Sequence, residues 1–344
     1  MFFGFSDSIY KINHSASEAR QIIEILQKNN IKDIRYGLNI SSLQCYNPFG
    51  DINFLLPTFK MASGLGMNIH IYLFLSDDIA NAGQGRCPKK WEKYSLNDIS
   101  SLIADDCRNI IRLFDDNDIN ISSYTIGNES EWGVCGFRIN DRVSPNPNGS
   151  DNSDDFEWLR NHLWRPTMII IKESAETIKT LKPDCDICIH SDSVTKNKFT
   201  YEFFKYMCEN IEFDKIALSY NPWTIWDKDH HLCKLERTLN DLLKLNKPIR
   251  FVEYSYTWKV SQLEEFNNIV TDERYDYSIC GQSNFHVDFI EFCKNKGIDS
   301  IFFWRGEHER ETDISDFVGI IHNGDIDGKL KEKIQNVCTI QTEN

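Results

Sequence analysis

Ser123-Tyr124-Thr125-Ile126-Gly127-Asn128-Glu129 is a run typical of a buried strand, and it ends in a carboxylate. A second run, Pro248-Ile249-Arg250-Phe251-Val252-Glu253, has the same form. Each glutamate stands where the apolar character of its strand stops, and parallel barrels keep their catalytic residues at this end of the strands. The two runs therefore predict a pair of carboxylates at one face of a parallel β-structure.

Strand-like and helix-like segments alternate along the rest of the chain. The strand-like segments are 2–6, 33–38, 68–74, 124–127, 186–190, 215–219, 249–253 and 300–304. The helix-like segments are 16–29, 53–64, 95–114, 156–181, 201–210, 232–245 and 285–296. Eight strands, with a clear helix after each but the last, favour a closed barrel over an open sheet, which tends to carry a Gly-rich phosphate turn. We therefore expect an α/β fold, a (β/α)₈ TIM barrel formed by 1–344 as a single domain.

The segments that follow the strands have an unusual composition. Residues 130–155 are rich in Asn, Asp, Pro and Gly, which predicts a long irregular loop at the catalytic face. An aromatic face packs well against a pyranose ring, so tryptophans around one rim would suit a saccharide groove, although ordinary packing explains any single one equally well. The tryptophans at such places are Trp132, Trp223, Trp226, Trp258 and Trp304.

The net charge and the cysteine content limit which binding partners and which cellular compartment are expected. A formal net charge of -14 argues against a nucleic acid or an anionic membrane as partner, because both need clustered Lys and Arg. The 11 cysteines are scattered, several of them in apolar runs, which is typical of reduced thiols. Neither Cys185-x-x-Cys188 nor His230-His231 has the partners of a metal site, so we expect no metal and no cofactor. With no visible signal peptide, a cytoplasmic location is expected for the chain as given, and secretion if its start has been trimmed.

Several segments match, in chain order, the motifs of one known family. They are Arg35, Gly66-Met67, Ser76-Asp77, Pro88-Lys89-Lys90-Trp91, Gly127-Asn128-Glu129, Ile189-His190, Leu218-Ser219-Tyr220-Asn221-Pro222-Trp223 and Val252-Glu253-Tyr254-Ser255-Tyr256-Thr257-Trp258. Together they resemble glycoside hydrolase family 53, the endo-β-1,4-galactanases of clan A. The resemblance covers most of the chain. It implies a retaining glycoside hydrolase that cleaves a β-linked, galactose-containing oligo- or polysaccharide.

The resemblance also implies a role for each site residue. Glu129 would be the general acid/base, and Glu253 the nucleophile, kept ionised by Arg35 and the Tyr220 hydroxyl. Asn128 would bind the sugar 2-hydroxyl. A retaining enzyme predicts carboxyl groups about 5 to 5.5 Å apart, against about 6.5 to 9.5 Å for an inverting one. The other expected substrate contacts are Asp77, His190, Trp223, Trp258 and Trp304.

Other interpretations of these residues stay open. A lone glutamate after a strand is also typical of a helix cap or a solvated rim, and a lone buried histidine such as His190 is typical of a core. The chain departs from the family at Phe74, where a His is usual, and at Trp304-Arg305-Gly306, where Trp-Glu-Pro is usual. The alternatives are therefore another clan A activity, β-galactosidase or mannanase-like, or a catalytically silent barrel that binds a saccharide.

Overall fold

Eight parallel strands close into a barrel in chain order, with β1 beside β8. The structure is a computed structural model that describes residues 1–6, 16–40, 52–75, 91–137, 155–223, 232–259, 274–306 and 318–342. The barrel strands are β1 Phe2–Ser6, β2 Asp33–Asn39, β3 Asn68–Phe74, β4 Ile121–Ile126, β5 Asp186–Ser191, β6 Lys215–Tyr220, β7 Ile249–Tyr254 and β8 Ser300–Trp304. The predicted (β/α)₈ fold is confirmed.

Helices surround the barrel. They are α1 Ala16–Lys28, α2 Ile52–Gly64, α3 Leu96–Asp115, α4 Phe156–Leu159, α5 Arg165–Leu181, α6 Asn197–Asn210, α7 Leu232–Leu242, α8 Ile279–Asn295 and α9 Gly328–Thr342. A π-helical turn, Arg160–Trp164, joins α4 to α5 within the predicted helix 156–181. The helix after β8, which the sequence does not clearly show, is α9, and it packs against α8 and β1. A short hairpin, formed by β9 Ile321–His322 and β10 Asp325–Ile326, precedes it. No helix in the described part of the chain is long and apolar enough to cross a membrane.

Two glycines make room for large side chains inside the barrel. A Cβ on Gly4 of β1 would lie 2.4 Å from the Phe302 ring of β8 and 2.9 Å from the backbone oxygen of Asp33. A Cβ on Gly37 of β2 would lie 2.4 Å from the Phe74 ring and 2.6 Å from the Tyr72 ring. These aromatic side chains therefore fill space that ordinary residues on β1 and β2 would occupy.

A network of buried polar groups closes the amino-terminal end of the barrel interior. His70 of β3 bonds Asp33 at 2.9 Å and Ser123 at 2.7 Å. Arg250 of β7 reaches across to Ser123 at 3.3 Å and to Asp299 at 3.1 Å. Burial lowers the pKa of His70, although Asp33 opposes the shift. The bonds of His70 thus join β3 to its neighbours β2 and β4, and the bond from Arg250 to Ser123 crosses the barrel interior from β7 to β4.

Glycine at position 4 is predicted to be required for barrel packing. Gly4→Ala should lower the free energy of unfolding by about 1–3 kcal/mol, because a backbone oxygen and a packed ring cannot both move away. The matched control is Gly64→Ala at the end of α2, where nothing lies within 4 Å, and a change of about 0.4–1 kcal/mol in the stabilising direction is expected. Urea unfolding measures both, and equal stability of the two variants would contradict the packing.

Candidate active site

A β-bulge in β7 turns Glu253 into the barrel. Leu218 and Ser219 of β6 pair with Phe251 and Glu253, so Val252 is an extra residue between the two pairs. Phe251 faces outward, with its ring 5.1 Å from that of Phe289 on α8. Successive side chains of a regular strand alternate, so Glu253 would also face outward without the bulge.

Glu253 forms an ion pair across the barrel interior. Nη1 of Arg35, on β2, lies 2.9 Å from Glu253 Oε1, and the two side chains are 1% and 8% exposed. Arg35 also donates to Ser6 Oγ at 2.8 Å and stacks 3.9 Å from the centre of the Tyr72 ring. A buried guanidinium beside a carboxylate favours its ionised form. The environment of Glu253 therefore suits an anion.

Glu129 stands on a tight turn at the end of β4. Gly127 has φ 78 and Glu129 has φ 49, in the left-handed region that residues other than glycine seldom adopt. A Cβ on Gly127 would lie 2.3 Å from Ser130 Oγ, so the turn needs glycine there. Backbone strain of this kind, held by the surrounding structure, is common at functional sites.

The environment of Glu129 favours the protonated acid. The pKa of its carboxyl is raised well above the ordinary value, first by burial and then by the charges of Asp192, Glu253 and Glu131. A hydrogen bond from Ser219 Oγ to Oε1, 3.0 Å long, opposes the shift. Glu129 and Glu253 thus interact electrostatically but occupy opposite environments, one suited to a proton and one to a negative charge. The predicted 5 to 5.5 Å separation of the two carboxyl groups stays a prediction.

Asn128 and His190 lie next to Glu129. His190 Nδ1 is 3.0 Å from Asn128 Oδ1, and Nε2 is 2.8 Å from Ser219 Oγ. Burial, and then the charge of Arg35, hold the pKa of His190 well below the ordinary value, so its ring is neutral. His190 is fully buried, whereas Asn128 retains 8% exposure beside Glu129. The structure thus brings four residues expected at the site, Arg35, Asn128, His190 and Glu253, together around Glu129.

The turn that carries Glu129 is held by Glu131. Its Oε1 accepts hydrogen bonds from Ser191 Oγ at 2.8 Å and from the backbone nitrogens of Asp192 at 2.8 Å and Ser193 at 3.0 Å. Its backbone oxygen accepts from Trp164 Nε1, on the π-helical turn, at 3.0 Å. Burial and then the charge of Asp192 raise the pKa of Glu131 well above the ordinary value. These bonds join the turn after β4 to the end of β5.

The model of glycosyl hydrolase family 53 matches residues 5–332 of this chain. The chain belongs to that family. Its resemblance to family 53, inferred from motifs, is thereby confirmed. A Niallia circulans protein named "Uncharacterized protein in bgaB 5'region" is 26% identical over 67% of this chain, and the matched part spans 60% of that protein.

Two further comparisons agree with family 53. An Emericella nidulans protein named arabinogalactan endo-beta-1,4-galactanase A is 23% identical over 309 residues, 86% of this chain and 79% of the relative. A structure from a study of two fungal beta-1,4-galactanases superposes with a TM-score of 0.75, covers 97% of this chain and 99% of that chain, and is 17% identical in sequence. At this identity the likeness is one of fold.

The aromatic residues expected at the family 53 substrate groove are packed in different ways. Trp223 is 2% exposed and donates to Ser255 Oγ at 2.8 Å. Trp258 meets the His322 ring edge-on at 5.2 Å, and the Arg305 guanidinium lies 5.1 Å from the centre of the Trp304 ring. Trp223 is therefore part of the packing under the rim, while Trp304 is partly exposed at the end of β8.

Tyr220 has a position different from the one expected beside Glu253. Its ring packs against Phe289 of α8 at 5.5 Å, on the outer face of β6, because side chains alternate along the strand. The interior position goes to its neighbour Ser219. Of the expected substrate contacts, Asp77 lies outside the described residues. So do the tryptophan Trp226, the motif residues Ser76, Pro88, Lys89 and Lys90, the pair His230-His231, and 138–154 of the predicted loop.

Three residues beside Glu129 were missed from the sequence: Ser219, Glu131 and Asp192. Alternation along β6 is a signal that could have placed Ser219 inside the barrel with Ala217. Nothing in the sequence marks Glu131, whose partners come from the end of β5. Within the described ranges, no group of three or more His, Cys, Asp or Glu side chains could hold a metal ion.

Glu131→Ala is predicted to destabilise the protein. It removes the acceptor of three hydrogen bonds in a buried place, which should lower the free energy of unfolding by about 2–5 kcal/mol. Glu131→Gln keeps an oxygen for these donors and should stay within about 1 kcal/mol of the parent. Urea unfolding compares the two. Equal losses in both variants would show that the oxygen acceptor is not what holds the turn.

Proposed function

We propose that this chain is a retaining β-glycosidase, with Glu129 as the general acid/base and Glu253 as the nucleophile. The observation that carries the proposal is the contrast between the two carboxyl groups. Glu253 is paired with Arg35 at 2.9 Å, while burial and neighbouring carboxylates raise the pKa of Glu129. A nucleophile must be ionised and an acid must hold its proton, so the two environments match the two roles.

The first step breaks the glycosidic bond. Glu253 attacks the anomeric carbon while Glu129 gives its proton to the leaving oxygen, which yields a covalent glycosyl-enzyme and a free chain end. The negative charge of Glu253 is consumed in this step, and the Arg35 guanidinium remains in place beside it. We assign to Asn128, next to the acid, the contact with the sugar 2-hydroxyl, which strengthens in the transition state.

The second step returns the enzyme to its starting state. Glu129, now ionised, takes a proton from a water molecule, which attacks the anomeric carbon and releases Glu253. Two displacements at one carbon leave the product with the configuration of the substrate. Glu129 must thus be able to lose and regain a proton in every cycle.

The substrate we propose is a β-1,4-linked galactan. Support comes from the family and from the galactanase names of the matched relatives. Phe74 and Arg305 would alter the contacts to the sugar nearest the scissile bond, because an aromatic ring and a cation replace the imidazole and carboxylate usual in the family. A panel of β-galacto-, β-manno- and β-gluco-oligosaccharides tests the choice, and preferred cleavage of a manno- or gluco-linkage would overturn the galactan proposal.

Substitution of the two glutamates should separate their roles. Glu253→Ala should abolish hydrolysis of galactan and of an aryl β-galactoside alike, since no covalent intermediate can form. Glu129→Ala should hydrolyse galactan about 10²–10⁴-fold more slowly than the parent. With a dinitrophenyl glycoside the rate of the first step should fall much less, because this leaving group needs no proton. Added azide should then rescue turnover and give the β-glycosyl azide.

Two controls make this experiment decisive. Glu24→Ala removes an exposed carboxylate of α1 and should leave activity unchanged. Calorimetry measures whether Glu253→Ala still binds a galacto-oligosaccharide. Retained binding shows that the variant is folded and has lost only its catalytic activity. A parent protein that binds the saccharide but cleaves no glycoside would support the silent barrel, and activity retained by Glu253→Ala would refute the nucleophile.

Asp192→Asn is predicted to move the pH profile in a known direction. The Asp192 charge is the largest electrostatic contribution that raises the pKa of Glu129. Without that charge the pKa falls, so the acid loses its proton at lower pH and the alkaline limb of kcat/KM moves down. Initial rates across the pH range measure the limb. An unchanged or upward-shifted limb would contradict the assignment of Glu129 as the acid.

A further inference from the structure

A hydrogen-bonded chain of buried groups lies behind the Glu129 carboxyl. Ser219 Oγ is 3.0 Å from Glu129 Oε1 and 2.8 Å from His190 Nε2. The other ring nitrogen, Nδ1, is 3.4 Å from the backbone nitrogen of Glu129 and 3.0 Å from Asn128 Oδ1. His190 is fully buried and Ser219 is 3% exposed, so bulk water does not compete for these bonds.

The hydrogen-bond donors around His190 identify the tautomer of its ring. Its neutral imidazole has one donor nitrogen and one acceptor nitrogen. The backbone N–H of Glu129 can only donate, so its hydrogen bond makes Nδ1 the acceptor. The ring proton is then on Nε2, which donates to Ser219 Oγ. Ser219 must in turn donate its own proton to Glu129 Oε1.

The opposite tautomer fits only one protonation state of Glu129. With the proton on Nδ1, Nε2 would accept the Ser219 proton, and the Ser219 oxygen would turn its lone pairs toward Glu129 Oε1. At 3.0 Å these oxygens repel unless Glu129 itself donates from Oε1. An acid/base residue must lose its proton in each cycle, so this arrangement would be unfavourable in the second step.

We propose that His190 and Ser219 are positioning residues that determine which oxygen of Glu129 carries the acid proton. Ser219 donates to Oε1 throughout the cycle, so Oε1 stays an acceptor and the acid proton is on Oε2. Oε2 gives this proton to the leaving oxygen and later takes one back from water. The proposal rests on the acid/base role proposed above for Glu129, and it assigns His190 to the support of that residue.

The amide of Asn128 follows from the same assignment. An amide oxygen facing an acceptor Nδ1 would repel it, whereas the NH₂ group placed at the same 3.0 Å position donates to it. Amide oxygen and nitrogen are assigned from such networks, because the two ends have the same shape. Asn128 then directs its carbonyl oxygen away from His190, as an acceptor for a substrate hydroxyl.

The charged groups around Glu129 and His190 determine in which direction the pH profile should move when this hydrogen-bonded network is changed. Glu129 faces Asp192 at the end of β5, Glu253 on β7 and Glu131 on its own turn, all of which raise its pKa, while the Ser219 bond lowers it. The charge that acts on His190 is Arg35. Loss of the Ser219 hydroxyl should therefore raise the pKa of Glu129 further and move the alkaline limb to higher pH.

The tautomer of His190 can be measured directly. Long-range ¹H–¹⁵N spectra of the full chain distinguish the protonated from the unprotonated ring nitrogen, and the His190 signals are those missing in His190→Gln. We expect Nε2 to be protonated and Nδ1 unprotonated, at pH values below and above the alkaline limb. A proton on Nδ1 at either pH would overturn the proposal.

Matched variants test the consequence for activity. His190→Gln keeps an NH₂ group near the position of Nε2, and His190→Asn places its amide near Nδ1 instead. We expect His190→Gln to retain more kcat/KM than His190→Asn and Ser219→Ala. The latter two should lose about 10- to 100-fold in kcat/KM and show an alkaline limb at higher pH. An unmoved limb in Ser219→Ala, or equal losses in the two His190 variants, would overturn the proposal.

The two proposals can fail separately. If the parent protein hydrolyses no β-glycoside, the proposed function fails, and the tautomer spectra at pH 5 to 9 still decide whether the chain of donors exists. If the parent is active but His190 is protonated on Nδ1, only the positioning roles of His190 and Ser219 fail.

Discussion

The ion pair between Arg35 and Glu253 is the interaction on which the rest of the site depends. It joins β2 to β7 across the barrel interior at 2.9 Å, and it forms only because a bulge at Val252 turns Glu253 inward. A buried carboxylate without a partner would be costly, so the arginine makes an ionised Glu253 compatible with a dry interior. The arginine is itself held by Ser6 and by the face of Tyr72.

The negative charge fixed on Glu253 also acts on Glu129. Together with burial, Asp192 and Glu131, it raises the pKa of Glu129, so ionisation of one carboxyl group favours protonation of the other. Each role therefore depends on the other through electrostatics. The strained turn after β4 keeps Glu129 close enough to Glu253 for this electrostatic interaction. The hydrogen bonds of Glu131 to the end of β5 hold that turn.

The alternation of strands and helices in the sequence predicted the barrel correctly, and three strand ranges, 2–6, 68–74 and 300–304, coincide with the observed strands. Both glutamates were found because each ends an apolar run, a signal that is local in sequence. Ser219 and Glu131 were missed because their roles depend on partners far along the chain. The bulge in β7 depends on its register with β6, and no local pattern around Val252 specifies it. Helix α9 was missed although Leu330, Ile334 and Val337, which recur at helical spacing, form its buried face.

The most direct test of the account is to trap the covalent intermediate. An activated 2-deoxy-2-fluoro-β-galactoside should inactivate the protein, because the fluorine slows both the formation and the breakdown of the glycosyl-enzyme, whereas the activated leaving group speeds only its formation. Mass spectrometry of the digested protein then locates the sugar. The account predicts one label per chain, on Glu253. A label on another residue, or unlabelled protein that turns over galactan with inversion, would contradict it.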